Sequence, residues 1–229
     1  MGALGDGAAR DPHGVPHGSG VHGGRSRSPR LPARQPPGRA RQGRVRLFVA
    51  LNLPETVRNS LCSCVRPLQS MGFALRWMTP EQVHLTLKFL GDVEPEREPE
   101  LVAALSRACT GARPVTLSLS GFGVFPHYDR PRVVWVGVAP EPALELLQHR
   151  VEQEFSSLGF PTEARAFRPH ITLGRAAPGA RRGGFSKLET ALATLCFDAA
   201  AVIMTVDLME STLQSGGAVY HVRHSERLP

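Results

Sequence analysis

Hydrophobic and polar positions divide the chain from Arg44 onward into short apolar runs and longer amphipathic stretches. Alternating or continuous apolar residues over about four to eight positions are typical of buried strands. By this criterion seven strands are predicted, over 44–53, 83–90, 114–126, 131–138, 167–175, 197–212 and 218–228. Apolar residues at helical spacing predict four helices, over 54–71, 98–109 and 140–158 and in a segment that ends near Leu195.

Residues 1–43 depart from this pattern, because Gly, Pro, Arg, Ser and His dominate them. Such a segment cannot bury enough apolar surface to offset the entropy of ordering. We therefore predict a disordered tail over 1–43 and a single folded domain over 44–229. The tail holds seven arginines and two aspartates, and so carries five of the seven net positive charges of the chain. The tail is either a solvated extension or a segment that contacts nucleic acid, and the high pI says little about what the folded part binds.

The cysteines and the apolar runs together indicate a cellular compartment. No apolar run near the N-terminus resembles a signal peptide, and no span has the length of a bilayer. The cysteines lack both a C-x-x-C pair and Cys/His ligand spacing, and they are Cys62, Cys64, Cys109 and Cys196. We interpret them as buried or idle thiols, and predict a cytoplasmic protein without membrane contact.

The chain repeats part of its own sequence at a separation of 86 residues. His84-Leu85-Thr86-Leu87 aligns with His170-Ile171-Thr172-Leu173, and the residues 47–50 align with 133–136. Pro54-Glu55 likewise aligns with Pro140-Glu141. Strand, helix and His-x-Thr-Leu strand therefore recur in the same order. This predicts two similar halves related by a pseudo-two-fold axis, each contributing one His and one Thr to a shared cleft.

The paired His-x-Thr motifs are suited to acid–base chemistry on a phosphate. Residues i and i+2 of a strand project from the same face, so each His lies beside its Thr. One imidazole can accept a proton from a nucleophile while the other donates a proton to a leaving group. The two hydroxyls can donate hydrogen bonds to phosphate oxygens, and Arg175 can hold the phosphate by charge if the strand twists or ends at Gly174.

Other chemistries have less support in the sequence. A lone histidine on a strand is more often structural than catalytic, but two copies in matching halves favour catalysis. Neither His84 nor His170 has a carboxylate or Cys at ligand spacing, and His127 is the one other candidate ligand in the folded part. No Walker loop is present. We therefore predict a site without a metal and without a cofactor.

Several of these segments are similar to one known family. HLTLKFLGDV, FRPHITLGR, RLFVALNLPE and the pair FGVFP and RPRVVWVGV resemble the RNA 2′,3′-cyclic phosphodiesterases of the two-histidine phosphoesterase superfamily, also called 2′-5′ RNA ligases. The resemblance extends from about Arg44 to Leu228. It implies a bilobal α+β fold, in which each lobe is an antiparallel sheet with outer helices and the active site lies in the groove between them.

The resemblance also implies an activity and roles for single residues. The activity is hydrolysis of RNA or nucleotide ends that carry a 2′,3′-cyclic phosphate to 2′-phosphomonoesters, without metal. His84 would be the proton donor to the 3′ oxygen and His170 the proton acceptor. The residues implied to hold the phosphate are Thr86, Thr172 and Arg175, and the aromatic candidates for stacking on the base or packing beneath the site are Phe48, Trp77 and Phe89.

Two other functions remain open from the sequence. The first is an RNA-end binding module that performs no turnover, and the second is a related enzyme for another cyclic phosphate or for a 2′-5′ oligonucleotide. Reversible 2′-5′ ligation would accompany the main activity, because a cyclic phosphate stores the energy for joining. Since both motifs lie in one chain, a monomer is sufficient for function.

Overall fold

The computed structural model describes residues 43–215 and 217–229. Nearly all of the predicted tail lies outside the described residues, as does Gly216, which stands between the last two predicted strands. Within them, no helix is both long enough and apolar enough to cross a membrane. The strands are β1 Val45–Asn52, β2 Leu75–Trp77, β3 His84–Val93, β4 Val115–Phe125, β5 Val133–Val138, β6 His170–Ala176, β7 Asp198–Ile203, β8 Thr205–Gln214 and β9 Gly217–Arg227. The α-helices are α1 Glu55–Gln69, α2 Glu98–Cys109, α3 Pro142–Ser157 and α4 Leu188–Ala193.

The predicted elements are present, with two differences in the strands. The run predicted as one strand over 197–212 is divided at Met204 into β7 and β8. The chain changes partners at this point, because β7 pairs with β4 whereas β8 pairs with β1 and β9 at the other end of the sheet. The strand β2 was not predicted, since three residues are too few to show a period.

All strand pairs are antiparallel, and their order is symmetric. The sequence of neighbours is β7-β4-β5-β6-β3-β1-β8-β9, and β2 pairs with the far end of β6, along the edge that β3 meets at Ile171. Reading outward from the centre, β6-β5-β4-β7 in one lobe corresponds to β3-β1-β8-β9 in the other. The lobes are joined where β3 meets β6, through the registered pair Leu85–Ile171. The fold is therefore the bilobal α+β arrangement that the resemblance implies.

The helices bury one apolar stripe each against this sheet. In α1 the buried residues are Leu61, Val65 and Leu68, and in α3 they are Leu144, Leu147, Val151, Glu152 and Phe155. The spacing of three and four residues is that of a single helix face. The helices α2 and α3 also pack against each other, and α3 contacts β3 of the opposite lobe. The core thus continues from one lobe into the other.

The structure corrects the internal alignment over the first strands. Asn52 lies opposite His84, and Gly137 lies opposite His170, so β1 and β5 are related by 85 residues rather than 86. The burial of side chains supports a separation of 85. At that separation the buried residues Val49 and Leu51 align with Val134 and Val136, which are also buried. The separation of 86 holds for the helices and for the two motifs. The second half therefore has one more residue between its strand and its helix.

A buried ion pair connects β3 with α3. Lys88 is 4% exposed and its ammonium group contacts the Glu152 carboxylate, while it also donates a hydrogen bond to the Pro161 carbonyl at 3.0 Å. The backbone N–H of Glu163 donates to the same carboxylate at 3.4 Å. Removal of one partner would leave the other charge buried and uncompensated.

We expect Lys88→Met to lower the free energy of unfolding by about 3–5 kcal/mol, because the Glu152 charge loses its partner. The Lys88→Met/Glu152→Leu double variant should recover most of that loss. Urea unfolding measures both effects. The matched control is Glu154→Gln, also on α3, which breaks the exposed pair that Glu154 forms with Arg107 of α2 and should cost less than about 1 kcal/mol. A loss in Lys88→Met no larger than in this control would contradict the interpretation.

Candidate active site

The two His-x-Thr motifs lie side by side at the junction of the lobes. His84 begins β3 and His170 begins β6, and these antiparallel strands are in register at Leu85 and Ile171. This register sets His84 opposite Thr172 and Thr86 opposite His170. Because Leu85 and Ile171 are buried on one face, all four polar side chains project from the other face into the groove. The structure therefore brings together the four motif residues that the sequence singled out.

Each imidazole is oriented by the backbone two residues before it. Nδ1 of His170 lies 2.7 Å from the Arg168 carbonyl oxygen, so the neutral ring donates its Nδ1–H there and leaves Nε2 free as an acceptor. The Gln82 backbone makes the corresponding hydrogen bond to His84. The orienting contact has the same form at both sites, as the pseudo-two-fold axis requires.

Aromatic side chains enclose both imidazoles. The His84 ring lies 4.9 Å from Phe48 and 5.0 Å from Tyr220, and the His170 ring lies 5.0 Å from Phe125. Phe125 in turn packs on Trp135 at 5.1 Å. Gly123 leaves room for the Trp135 indole, since a Cβ on that glycine would lie 2.3 Å from the ring. These rings exclude water from one side of each histidine.

This enclosure, together with one positive charge, changes the acidity of both histidines. The pKa of His84 is lowered to about 4, chiefly by burial and in smaller part by the charge of Arg175, while the hydrogen bond with the Gln82 backbone opposes the shift. Burial also lowers the pKa of His170, Arg175 acts in the same direction, and the Arg168 carbonyl opposes it. Both imidazoles are therefore neutral near pH 7 in the unliganded groove.

A β-bulge turns Arg175 toward the groove. Trp135 pairs with Thr172 and Val134 pairs with Gly174, so Leu173 is the additional residue on β6. Strict alternation would have placed Arg175 on the Leu173 face, away from the histidines. After the bulge it lies opposite Val133, on the face that carries His170 and Thr172. This is the local irregularity near Gly174 that a role for Arg175 requires.

The first lobe has an equivalent bulge, which places Phe89 on the groove face. Lys88 pairs with Val49 and Thr86 pairs with Ala50, so Leu87 is the additional residue on β3. Phe89 consequently lies opposite Phe48, at the position that Arg175 occupies in the second lobe. It is 66% exposed although it is a large apolar side chain. Phe48, in contrast, is buried beneath the groove, in a cluster with Ala50, Met209 and Tyr220.

Trp77 does not lie in the groove. It pairs with Gly174, whose position on β6 faces the core, and a Cβ on Gly174 would lie 3.2 Å from the indole ring. Trp77 packs against the buried residues of both larger clusters. The expectation that it stacks on a bound base is therefore wrong, because the strand that carries it presents this side chain to the opposite face.

Sequence reasoning did not identify Tyr220, Phe125 and Trp135 as residues of the site. Trp135 could have been found, because the repeat places its strand beside the second motif. Tyr220 reaches His84 from β9, which is three strands away in the sheet, and no local pattern indicates that contact. Within the described residues, no group of three or more His, Cys, Asp or Glu side chains could hold a metal ion.

Comparison with known families gives one matching family model. The model of the 2′-5′ RNA ligase superfamily matches residues 58–212. An RNA 2′,3′-cyclic phosphodiesterase of Methanothermobacter thermautotrophicus is 32% identical over 177 residues, which is 77% of this chain and 95% of the relative. An RNA 2′,3′-cyclic phosphodiesterase of Thermotoga maritima is 35% identical over 131 residues, which is 57% of this chain and 70% of the relative.

Solved structures show the same architecture. The Thermus thermophilus protein TT0787 superimposes with a TM-score of 0.62 at 31% identity, covering 80% of this chain and 97% of that one. Escherichia coli LigT, crystallised with 3′-AMP, superimposes with a TM-score of 0.63 at 26% identity, covering 81% of this chain and 98% of that one.

We expect Arg175→Gln to raise the pKa of both groove histidines, because it removes the positive charge that disfavours each imidazolium. Burial is unchanged, so neither group should return fully to its ordinary value. NMR titration of the imidazole resonances, assigned with His84→Ala and His170→Ala, measures the shifts. Arg113→Gln, at an exposed arginine outside the site, is the control. Midpoints that do not move in Arg175→Gln would show that its charge does not reach the histidines.

Proposed function

The chain belongs to the 2′-5′ RNA ligase superfamily, and we propose that it hydrolyses the 2′,3′-cyclic phosphate at RNA or nucleotide ends to a 2′-phosphomonoester. Membership of the family confirms the resemblance found in the sequence. The observation that carries the proposal is the placement of two oriented imidazoles and two hydroxyls on one face of adjoining strands. The name of the similar relatives supplies the substrate class.

In the proposed reaction, water attacks the phosphorus atom opposite the 3′ oxygen. Nε2 of His170 accepts the proton that the water loses, and the new P–O bond forms as the bond from phosphorus to O3′ breaks. His84 donates a proton to O3′, which leaves as the hydroxyl group. The phosphate stays on the 2′ oxygen. No metal ion takes part in this sequence of proton transfers.

The remaining polar side chains hold the phosphate while its charge is redistributed. Thr86 lies across from His170 and Thr172 across from His84, and both hydroxyls donate hydrogen bonds to the non-bridging oxygens. The Arg175 guanidinium pairs with the same oxygens by charge. Phe89 offers an exposed ring on which the terminal base stacks, whereas Phe48 supports His84 from below. Since LigT forms a complex with 3′-AMP, a nucleotide is a suitable ligand for a groove of this kind.

The bound phosphate provides the charge state that His84 needs. The lowered pKa leaves His84 neutral at neutral pH, and a neutral imidazole is a poor proton donor. A phosphate anion between His84 and Arg175 attracts a proton to His84 and compensates the arginine charge, and both effects raise the pKa of His84. The substrate itself thereby prepares the donor.

The same groove accommodates the reverse class of reaction. A 5′-hydroxyl in place of water attacks the phosphorus atom, the bond to O3′ breaks, and a 2′-5′ linkage results. Both halves of the site come from the same chain, so the enzyme acts as a monomer. The cytoplasm suits a protein whose Cys196 thiol is exposed and unpaired.

We expect His84→Ala and His170→Ala each to lower kcat by about 10²- to 10⁴-fold on a 2′,3′-cyclic nucleotide and on a short RNA that ends in one. Separation of products in the presence of EDTA measures the rate and identifies the 2′-phosphate. His149→Ala, at an exposed histidine of α3, should match the parent enzyme. Binding of the RNA without any product from the parent enzyme would instead support a non-catalytic RNA-end module. Activity retained in the two variants would show that the histidines are structural.

We expect the pH optimum of kcat/KM to lie below 6.5, because the pKa values of both histidines are lowered from that value in the free enzyme. Above the optimum the rate falls as the donor loses its proton, and below it the rate falls as the acceptor gains one. The two apparent pKa values belong to the pair. The basic limb of kcat should lie at higher pH, because bound phosphate raises the pKa of the donor. Initial rates across the pH range test this, and coinciding limbs for kcat and kcat/KM would oppose it.

A further inference from the structure

Arg76 lies directly beside Arg175 on the groove face. The strand β2 pairs with β6 so that Arg76 is opposite Arg175, and residues opposite each other in a ladder project to the same side. Its neighbours Leu75 and Trp77 pack into the core, whereas Arg76 is exposed. The bulge that turns Arg175 into the groove therefore sets these two arginines next to each other there.

Two like charges in this position are unfavourable without an anion. Like charges directly opposite in a ladder destabilise a sheet. In the part of the chain that the structure describes, neither arginine has a carboxylate partner. Four other partly exposed arginines do have one, in the pairs Arg44–Glu94, Arg97–Glu100, Arg107–Glu154 and Arg223–Glu98. The groove thus keeps two uncompensated positive charges, and anionic ligand groups would offset their repulsion.

The two arginines differ in their relation to the histidines. Arg175 lies on β6, the strand of His170 and Thr172, and its charge lowers the pKa of both histidines. Arg76 lies one strand to the side, on β2. The next anionic group of an RNA chain is the phosphodiester on the 5′ side of the terminal nucleotide. A cyclic mononucleotide has no such group.

We propose that Arg76 binds the phosphodiester on the 5′ side of the terminal nucleotide and so makes the enzyme prefer RNA ends to cyclic mononucleotides. The inference rests on the proposed function, since it takes the cyclic phosphate to lie at the histidines. It assigns Arg175 to the reacting phosphate and Arg76 to the preceding phosphate. The two arginines are neighbours on paired strands, as the two phosphates are neighbours along the RNA.

The test compares one substrate pair in three variants. Arg76→Gln should reduce the ratio of kcat/KM for a dinucleotide ending in a 2′,3′-cyclic phosphate to that for the cyclic mononucleotide by about tenfold, through KM, because one charge-assisted contact is lost. Arg76→Lys should retain part of the preference, since the charge remains. Arg113→Gln is the matched control and should leave the ratio unchanged. The dependence of dinucleotide KM on salt should weaken in Arg76→Gln by about one counterion.

Two results would overturn the inference. A ratio that does not change in Arg76→Gln would show that the arginine does not contact the second phosphate. An equal loss on both substrates would place Arg76 at the terminal phosphate or in the fold. Affinity for the 2′-phosphate dinucleotide and for the 2′-phosphate mononucleotide gives the same comparison without turnover. If the parent protein binds the dinucleotide more tightly than the mononucleotide but forms no product, the proposed function is refuted. The inference that Arg76 binds the second phosphate then still holds.

Discussion

The groove depends on one backbone contact, the antiparallel pairing of Leu85 with Ile171. It is the one registered pair between β3 and β6 among the described residues. Because both side chains are fully buried, the neighbouring positions must face the groove, and the two motifs are placed against each other without a second ladder pair between the described residues of these strands. A longer ladder would hold β3 and β6 side by side along their whole length and leave no groove between them. A single pair fixes the histidines and still lets the strands diverge around a ligand.

The electrostatics of the groove follow from the aromatic rings that surround this contact. Phe48, Tyr220 and Phe125 remove water from the imidazoles, and Arg175 adds a positive charge near both. The groove therefore disfavours protonation of the histidines, and its positive charge favours an anionic ligand over a neutral one.

The extent to which the sequence predicts this site depends on the range of the interactions involved. Each His could be paired with the Thr two residues later, because positions i and i+2 of a strand share a face. The orientation of Arg175 could not, because the bulge at Leu173 is defined by pairing with another strand. The choice between the two roles expected for Trp77, stacking on the base or packing beneath the site, likewise depended on the pairing of β2 with β6, which turns the indole to the core. The two halves were correctly recognised, although their first strands are offset by one residue, since the two His-x-Thr-Leu motifs set the separation of the alignment.

The exchange of strands between the lobes has a consequence for synthesis of the chain. The first lobe is completed by β8 and β9, which are near the C-terminus, while β4 from the first half belongs to the second lobe. During translation, β1 therefore has one edge without a partner until β8 has also left the ribosome. Contacts so distant in sequence slow folding and leave apolar strands accessible. The apolar strand β1 therefore has to stay soluble with one edge unpaired for most of the time in which the two lobes are synthesised.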